Sequence, residues 1–378
     1  MTPDLLSIEE ARRLLFRSQK LLGPRVDSLA LIEHLGYVQI DTLAVIERAH
    51  HHVLWSRNSD YRPSDLDALV KDRKVFEYWT HAASYLPMRD YRFSLPLKKK
   101  FKENPWFPKD ENLRSVVVKR LQTEGSLMSK DFQDTKKGTH GWWDWKPMKK
   151  VLEQLFLEGR LEISQREGFQ KVYDLSENVI PSTIDTTMPS DSEYMQFLID
   201  RTLRHHGLAS IDEMAYLQKK ETKLRLSLEI NRLLAEKKII QVRVENSSGV
   251  YFALPDSLNN LSELDLDVCI LSPFDNMVIQ RKKLKTFFDF DYQIECYLPV
   301  SKRKYGYFSL PVFLGTWAVA RLDCKADRKA NTFFINAIHY ESGVDVNAYQ
   351  LQEKLTAKLI DFARFNGCHT LVSLVSDS

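Results

Sequence analysis

Two stretches of this chain carry the same succession of elements, and that repeat limits the fold more than any other feature. In the first, a helical pattern over 112–122 leads to a short helix near 129–134 and a third over 145–158. Gly159 stops the third helix, and Leu161–Ser164 and Lys171–Leu175 then flank Arg166-Glu167-Gly168-Phe169 as a hairpin. In the second, a helix over 192–206 precedes Ser210-Ile211-Asp212-Glu213, a capping box that opens another short helix. A third helix runs over 221–237, and Ile239–Val244 and Val250–Leu254 flank the turn Asn246-Ser247-Ser248-Gly249. Leu155–Leu161 lines up with Leu233–Ile239 at an offset of 78 residues, too long a period for a solenoid. Three helices followed by a β-hairpin is the winged-helix pattern, and it occurs here twice.

The flanks are different in texture. Ser7-Ile8-Glu9-Glu10 fits a capping box, with Leu14, Leu15, Leu21 and Leu22 following at helical spacing. A helix over Asp27–His34 stops at Gly36, and Tyr37-Val38-Gln39-Ile40-Asp41 alternates apolar and polar as a short strand does. Residues 43–57 return to a helical pattern, Pro63 and Ser64 open another helix, Phe76–Trp79 reads as a strand and 88–103 as a basic helix. This first region reads as a third, modified copy. Ile180 to Ser190 is a linker rich in Ser, Thr and Pro. Beyond Leu261, short strands are expected at 268–271, 277–280, 292–298, 306–313, 316–323 and 332–340, then one amphipathic helix over 346–366. The expected fold is α+β: tandem winged-helix domains followed by a small β-barrel and a C-terminal helix. The segments are 1–108, 109–180, 190–260 and 265–378, within the two to four domains that 378 residues suggest.

Charge is unevenly spread. The net charge of +3 combines +7 over residues 98–150 and +4 over 281–304 with −8 elsewhere. Basic stretches on an otherwise acidic chain suit a polyanion, and they also suit solvated basic faces. No apolar run approaches the ~18 residues of a membrane span, and Met1–Arg12 lacks a signal core, so a cytoplasmic setting with no membrane partner is expected. Cys269, Cys296, Cys324 and Cys368 lie far apart, without zinc spacing. There is no Walker loop, no GxSxG and no GxGxxG after a strand, nor a cluster of acids suited to two-metal chemistry. No cofactor and no metal are expected, and nothing demands an oligomer.

Several residues can carry chemistry. Lys146, Lys149 and Lys150 stand near the start of the third helix of the first copy, where a recognition helix meets a groove. Arg166 and Lys171 lie on its hairpin as on a wing. Trp142, Trp143 and Trp145 suit either packing or base stacking. On a strand, Gln39 and Asp41 share one face, ~6.6 Å apart along the axis, with Val38 and Ile40 on the other. A carboxylate and a carboxamide so placed can hold a water between them; the same spacing equally fits a solvated polar face. His50, His51 and His52 diverge by ~100° per residue on a helix, which leaves groove lining or packing rather than a shared metal ion. Lys325, Arg328 and Lys329 form a cationic turn.

At this point longer matches enter. They are Gln39-Ile40-Asp41-Thr42, Arg48-Ala49-His50-His51, Val53-Leu54-Trp55-Ser56-Arg57 and His81-Ala82-Ala83-Ser84-Tyr85-Leu86-Pro87. Further on come Lys137-Gly138, Trp142-Trp143-Asp144-Trp145-Lys146-Pro147, Leu271-Ser272-Pro273-Phe274-Asp275-Asn276, Lys302-Arg303-Lys304-Tyr305-Gly306-Tyr307 and Lys325-Ala326-Asp327-Arg328-Lys329-Ala330. In these segments the chain resembles the bacterial winged-helix DNA glycosylases that act on alkylated bases and interstrand crosslinks, the YcaQ, AlkX and AlkZ family.

The resemblance implies a monofunctional glycosylase and a catalytic Gln-x-Asp motif at Gln39 and Asp41. Its substrate would be double-stranded DNA with alkylated or crosslinked bases, met by a nucleoid-associated monomer. DNA contacts are expected from Arg48, His50, His51, Arg57, Lys146, Lys149, Lys150, Arg166, Lys302, Arg303, Lys325, Arg328 and Lys329. One departure is Ala82, where the family often carries an acid. A non-enzymatic winged-helix regulator, or winged helices that bind proteins only, would use the same scaffold without the Gln39/Asp41 pair.

Overall fold

The computed structural model describes residues 4–132, 147–259 and 261–374. Lys137, Gly138, Trp142, Trp143, Trp145 and Lys146 therefore lie outside the described residues. The chain folds as two compact units, one built from residues 1–62 and 195–378, the other from 63–194. This differs from the expected segments: 1–108 is divided at residue 62, and 190–260 falls largely into one unit with 265–378.

The first unit opens with β1 (Asp4–Leu6), α1 (Ile8–Ser18), α2 (Ser28–Leu35), β2 (Val38–Gln39) and α3 (Ala49–Trp55). The capping box forms as expected: Glu10 N–H donates to Ser7 Oγ (3.2 Å), and Ser7 N–H to Glu10 Oε2 (2.8 Å). Gly36 ends α2 at φ +76°, where a Cβ would stand 2.5 Å from Arg201 Cγ, so the position demands glycine. The helix expected over 43–57 is shorter, because residues 42–48 are held in an irregular, bent path by contacts described below.

The second unit holds α4 (Pro63–Lys71), β3 (Val75–Trp79), β4 (Ala83–Pro87), α5 (Leu95–Glu103), α6 (Glu111–Glu124), β5 (Leu127–Met128), α7 (Pro147–Leu157), β6 (Leu161–Glu167), β7 (Gln170–Leu175) and α8 (Ser176–Val179). β3 and β4 form an antiparallel hairpin, and β5, β7 and β6 pair in that order. The expected basic helix 88–103 divides into a 3-10 stretch (Met88–Ser94) and α5, with Pro96 in the first turn of α5. Its Lys98 points inward. The buried ammonium pairs with Glu162 and donates to the Tyr91 hydroxyl (2.9 Å), which itself donates to Glu162 Oε1 (2.7 Å). Part of the positive charge over 98–150 is therefore spent inside the unit.

The boundary falls in the first turn of α9 (Asp191–His206). Then come β8 (Leu208–Ala209), α10 (Ile211–Met214), α11 (Lys220–Ala235), β9 (Ile240–Val244) and β10 (Tyr251–Ala253). Their sheet runs β1-β9-β10-β8, with β1 parallel to β9. The sequence repeat is thus a repeat of topology: β5-β7-β6 and β8-β10-β9 both set the short strand against the second strand of the hairpin. It extends to the helix ends. Gly159 (φ +75°) and Lys237 (φ +58°) follow α7 and α11 in the left-handed region. In each copy the next N–H reaches back, Arg160 to Leu155 O and Lys238 to Leu233 O, both at 2.9 Å. Arg73 (φ +56°) after α4, with Lys74 N–H on Leu69 O (2.9 Å), repeats the passage into the β3–β4 hairpin.

The rest of this unit is β11 (Val268–Ile270), α12 (Arg281–Phe288), β12 (Leu310–Leu314), β13 (Trp317–Asp327), β14 (Thr332–Tyr340), α13 (Leu351–Phe365) and β15 (Thr370–Ser373). Of the expected small barrel a half-barrel is present: the strands make one five-stranded sheet, β11-β12-β13-β14-β15. Two expected strands do not form. At 277–280, Met277 N–H bonds Asp275 Oδ1 (2.8 Å), and Val278 and Ile279 N–H both bond Asp275 O (2.9 Å), which coils the segment. Its apolar residues are buried all the same, and burial alone does not distinguish a strand from a coil. At 292–298, Glu295 accepts from Lys304 N–H (2.9 Å) and Tyr305 N–H (2.8 Å), folding the stretch into a loop. Leu14, Leu15 and Phe16 of α1 pack with Val242, Phe287 and Phe313 in the main core.

Candidate active site

The Gln39–Asp41 stretch begins in the core and leaves it. Asn276 Nδ2 donates to Tyr37 O (3.1 Å), and the Tyr37 ring meets His205 edge to face at 5.9 Å. Val38 and Ile40 are buried, and so is Gln39, at 8% exposure. The expected division into a polar and an apolar face is corrected here, because β2 ends at Gln39 and packing covers both sides of it. Asp41 is the first residue to emerge, and it does so only in part. Its Oδ2 accepts from Leu43 N–H (3.1 Å), an Asx-type turn that redirects the chain. Burial pushes the Asp41 carboxyl up from its ordinary range, and backbone N–H groups of Leu43 and Thr42 pull the other way.

The segment after Asp41 is clamped. Ala326 N–H on β13 donates to Val45 O (2.9 Å), Glu47 N–H donates to Asn366 Oδ1 (2.6 Å), and Arg328 Nη2 meets Glu47 Oε2 (3.2 Å). The same hairpin braces the loop folded by Glu295. Gly306 (φ +110°) lies so close to Asp323 that a Cβ would stand 2.4 Å from its Cγ. Arg321 lies over the Tyr305 ring (4.1 Å). Asp323 and Ala326 are three residues apart on β13, so loop and Asp41 segment rest on one stretch of strand about 10 Å long. Asp41 is accordingly within electrostatic reach of Cys296 and Tyr297, raising both of their pKa values after burial.

A model of the AlkZ-like DNA glycosylase family matches residues 32–365. This chain belongs to that family. The solved structure of Streptomyces sahachiroi DNA glycosylase AlkZ is similar at TM-score 0.67 and 16% identity, covering 97% of this chain and 99% of that one. At that identity the likeness speaks for the fold; the family match makes the chain a DNA glycosylase.

Within the glycosylase, the expected DNA-contact residues divide. Lys325, Arg328 and Lys329 are exposed at the β13–β14 end of the clamp. Lys302 is exposed, and Arg303 is half-buried over the Tyr307 ring (4.9 Å). Lys149 is exposed, and Lys150 lies 5.4 Å from the Phe107 ring. Arg48 is half-buried, as is His51, whose Nδ1 meets the Tyr61 hydroxyl at 2.7 Å.

Three expectations are corrected. Arg57 has a fully buried side chain forked onto Asp275, with Nη1–Oδ2 2.7 Å and Nη2–Oδ1 2.9 Å, so it holds the fold and meets no phosphate. Arg166 is forked onto Glu77 (2.6 and 2.8 Å), which answers its charge within the unit. His50 is buried at the start of α3 and presents nothing to a groove. His52 is buried too, with Nε2 on Ile270 O (2.9 Å) and its pKa pushed down to about 4 by burial, so it is neutral. Among the described residues no group of His, Cys, Asp and Glu is placed to hold a metal ion, and no helix is long and apolar enough to cross a membrane.

The sequence reading missed Cys296 and Tyr297. Both sat inside an expected strand, and only the capture of Lys304 and Tyr305 by Glu295 turns that stretch toward Asp41.

Proposed function

We propose that the enzyme hydrolyses the N-glycosidic bond of cationic alkylated purines in duplex DNA, N7-alkylguanine foremost and N3-alkyladenine by the same charge argument. It unhooks interstrand crosslinks through the same bond. The observation that carries this reading is Asp41: a half-buried carboxylate at the exit of a core strand, clamped by the segment that bears Lys325, Arg328 and Lys329.

Charge sets the mechanism. An ordinary glycosidase uses two carboxylates because a neutral leaving group needs a proton. An N7-alkylated guanine is already cationic, so one carboxylate suffices. Water oxygen bonds to C1′, the glycosidic electron pair leaves with the base, and the base departs neutral. Asp41 takes the proton of the attacking water and supports the positive charge that develops on the sugar. Gln39, held by the core, fixes the direction of that water. Such a site has no need to enclose the base, which leaves room for bulky or crosslinked lesions. The two helix–hairpin repeats serve as winged helices on the duplex, with Lys149, Lys150 and Lys302 among the phosphate contacts.

The test is release of base from duplex DNA containing N7-methylguanine, read as strand breaks after alkali. Wild-type enzyme should yield breaks well above background, and Asp41→Asn should abolish them while binding DNA nearly as before. An Asp41→Asn enzyme that still releases base removes Asp41 from the role of general base.

A further inference from the structure

Tyr297 is the most exposed aromatic side chain near Asp41. It is 75% exposed, and Val300 on the same loop is exposed to the same extent. Two exposed apolar groups on one loop beside the proposed site offer a surface for contact. This one is not loosely held. Glu295 is buried and fixes the loop through Lys304 and Tyr305, and Arg303 Nε donates to Leu298 O (3.0 Å). The loop is thereby anchored and the Tyr297 ring left open. Lys302, Arg303 and Lys304 lie five to seven residues further along, and Lys302 is exposed, so the same segment carries cations suited to a phosphate backbone.

From this juxtaposition we infer that the Tyr297 ring is the platform on which the cationic lesion base rests, and that it supplies preference for alkylated over undamaged duplex. The inference rests on the proposed reading of Asp41 and names the group that recognises its substrate. A π face attracts a cationic base more than a neutral one, and base–aromatic stacking tolerates any alkyl group. The sign of the kinetic effect follows. In the transition state positive charge leaves the base for the sugar, so a ring under the base favours the bound reactant at least as much as the transition state. The contact therefore lowers the half-saturating concentration and does not raise the saturating rate.

Single-turnover excision from an N7-methylguanine duplex, titrated with enzyme, separates these quantities. Tyr297→Ala and Tyr297→Leu should each raise the half-saturating concentration about tenfold. Both should keep the saturating rate and the affinity for undamaged duplex within about twofold. Tyr297→Phe should match wild type. Leucine matching phenylalanine would reveal a mere apolar wedge and overturn the inference; so would an unchanged half-saturation in Tyr297→Ala, or an equal loss on undamaged DNA. The same substitutions in an Asp41→Asn background, read by equilibrium binding to the lesion duplex, need no turnover. Loss of lesion preference there supports the platform even where the Asp41 reading fails, and retention there overturns it even where that reading stands.

Discussion

Arg57 offers the sharpest separation between a residue that holds the fold and one that touches DNA. Its guanidinium is fully buried and makes five main bonds: Nε to Gln19 O (2.7 Å), Nη1 to Val53 O (3.0 Å) and Asp275 Oδ2 (2.7 Å), Nη2 to Gln19 Oε1 (2.8 Å) and Asp275 Oδ1 (2.9 Å). Arg57→Met preserves much of the volume and strands the Asp275 carboxylate in the core. Breaking a buried pair in this way costs about 3–5 kcal/mol. For a unit of this size each kcal/mol moves Tm by about 2–4 °C, so a drop of roughly 6–20 °C is expected. The double variant Arg57→Met/Asp275→Asn should recover most of it, because the buried charge is gone and the carboxamide oxygen still accepts from Met277 N–H. Thermal unfolding of wild type, both single variants and the double variant closes the cycle. Binding to undamaged duplex, measured well below the lowest Tm, should keep its salt dependence. An unchanged Tm in Arg57→Met, together with a salt slope shallower by about one, would refute the argument and return Arg57 to the phosphate contacts.

Asp41→Asn should raise Tm at neutral pH while ending base release. Burial lifts the folded-state pKa, so the ionised form destabilises the fold; that cost is absent below the ordinary aspartate value of 3.8 and complete above the folded value. The gain in Tm over wild type should therefore shrink as pH falls, and a gain that grows toward acid contradicts the shift. The saturating excision rate should fall on the acid side through a midpoint above 3.8, since only ionised Asp41 takes the proton from water; a midpoint at or below that value argues against the buried carboxylate as base. Lys325→Ala/Lys329→Ala should flatten the log–log salt dependence of duplex binding by about 2, at roughly 0.9 per phosphate. An unaltered slope takes the hairpin end off the DNA.

What the sequence made legible is local in origin. The Ser7 and Ser210 capping boxes, the stop at Gly36 and the repeat at an offset of 78 residues were readable because each is set by neighbours within a few positions. The matched left-handed ends at Gly159 and Lys237 show why the repeat persists even where glycine gives way to lysine: the backbone bonds are the same, and the strain of one Cβ is tolerated. Capture by a single buried carboxylate, near or far along the chain, is what the sequence hid. Asp275 coils 277–279, Glu295 folds 292–298 back on itself, and Glu77 and Asp275 neutralise two arginines that read as DNA contacts. A cation's partner 89 or 218 residues away leaves no periodic trace. The expected barrel is present as a half-barrel sheet, since two of the strands counted toward it are not strands.

On the proposed reading, the position of Asp41 has a physical reason. A general base must be ionised, which favours water, and it must be poorly solvated to be effective, which favours burial. A residue inside β2 would be too dry, and one at the exposed position of Thr42 too wet. Asp41 occupies the exit, where one face meets packed core and the other is open, and an Asx-type bond from Leu43 limits how far its pKa climbs. One hairpin cation, Arg328, is turned onto Glu47. A guanidinium paired directly with Asp41 would make it a weaker base and would compete with the cationic sugar for its charge. On the proposed reading Glu47 keeps Arg328 for the DNA backbone and away from the carboxylate, so Glu47→Gln should depress the excision rate without weakening duplex binding. Weaker binding with an unchanged rate would mean that Glu47 merely holds the hairpin in place.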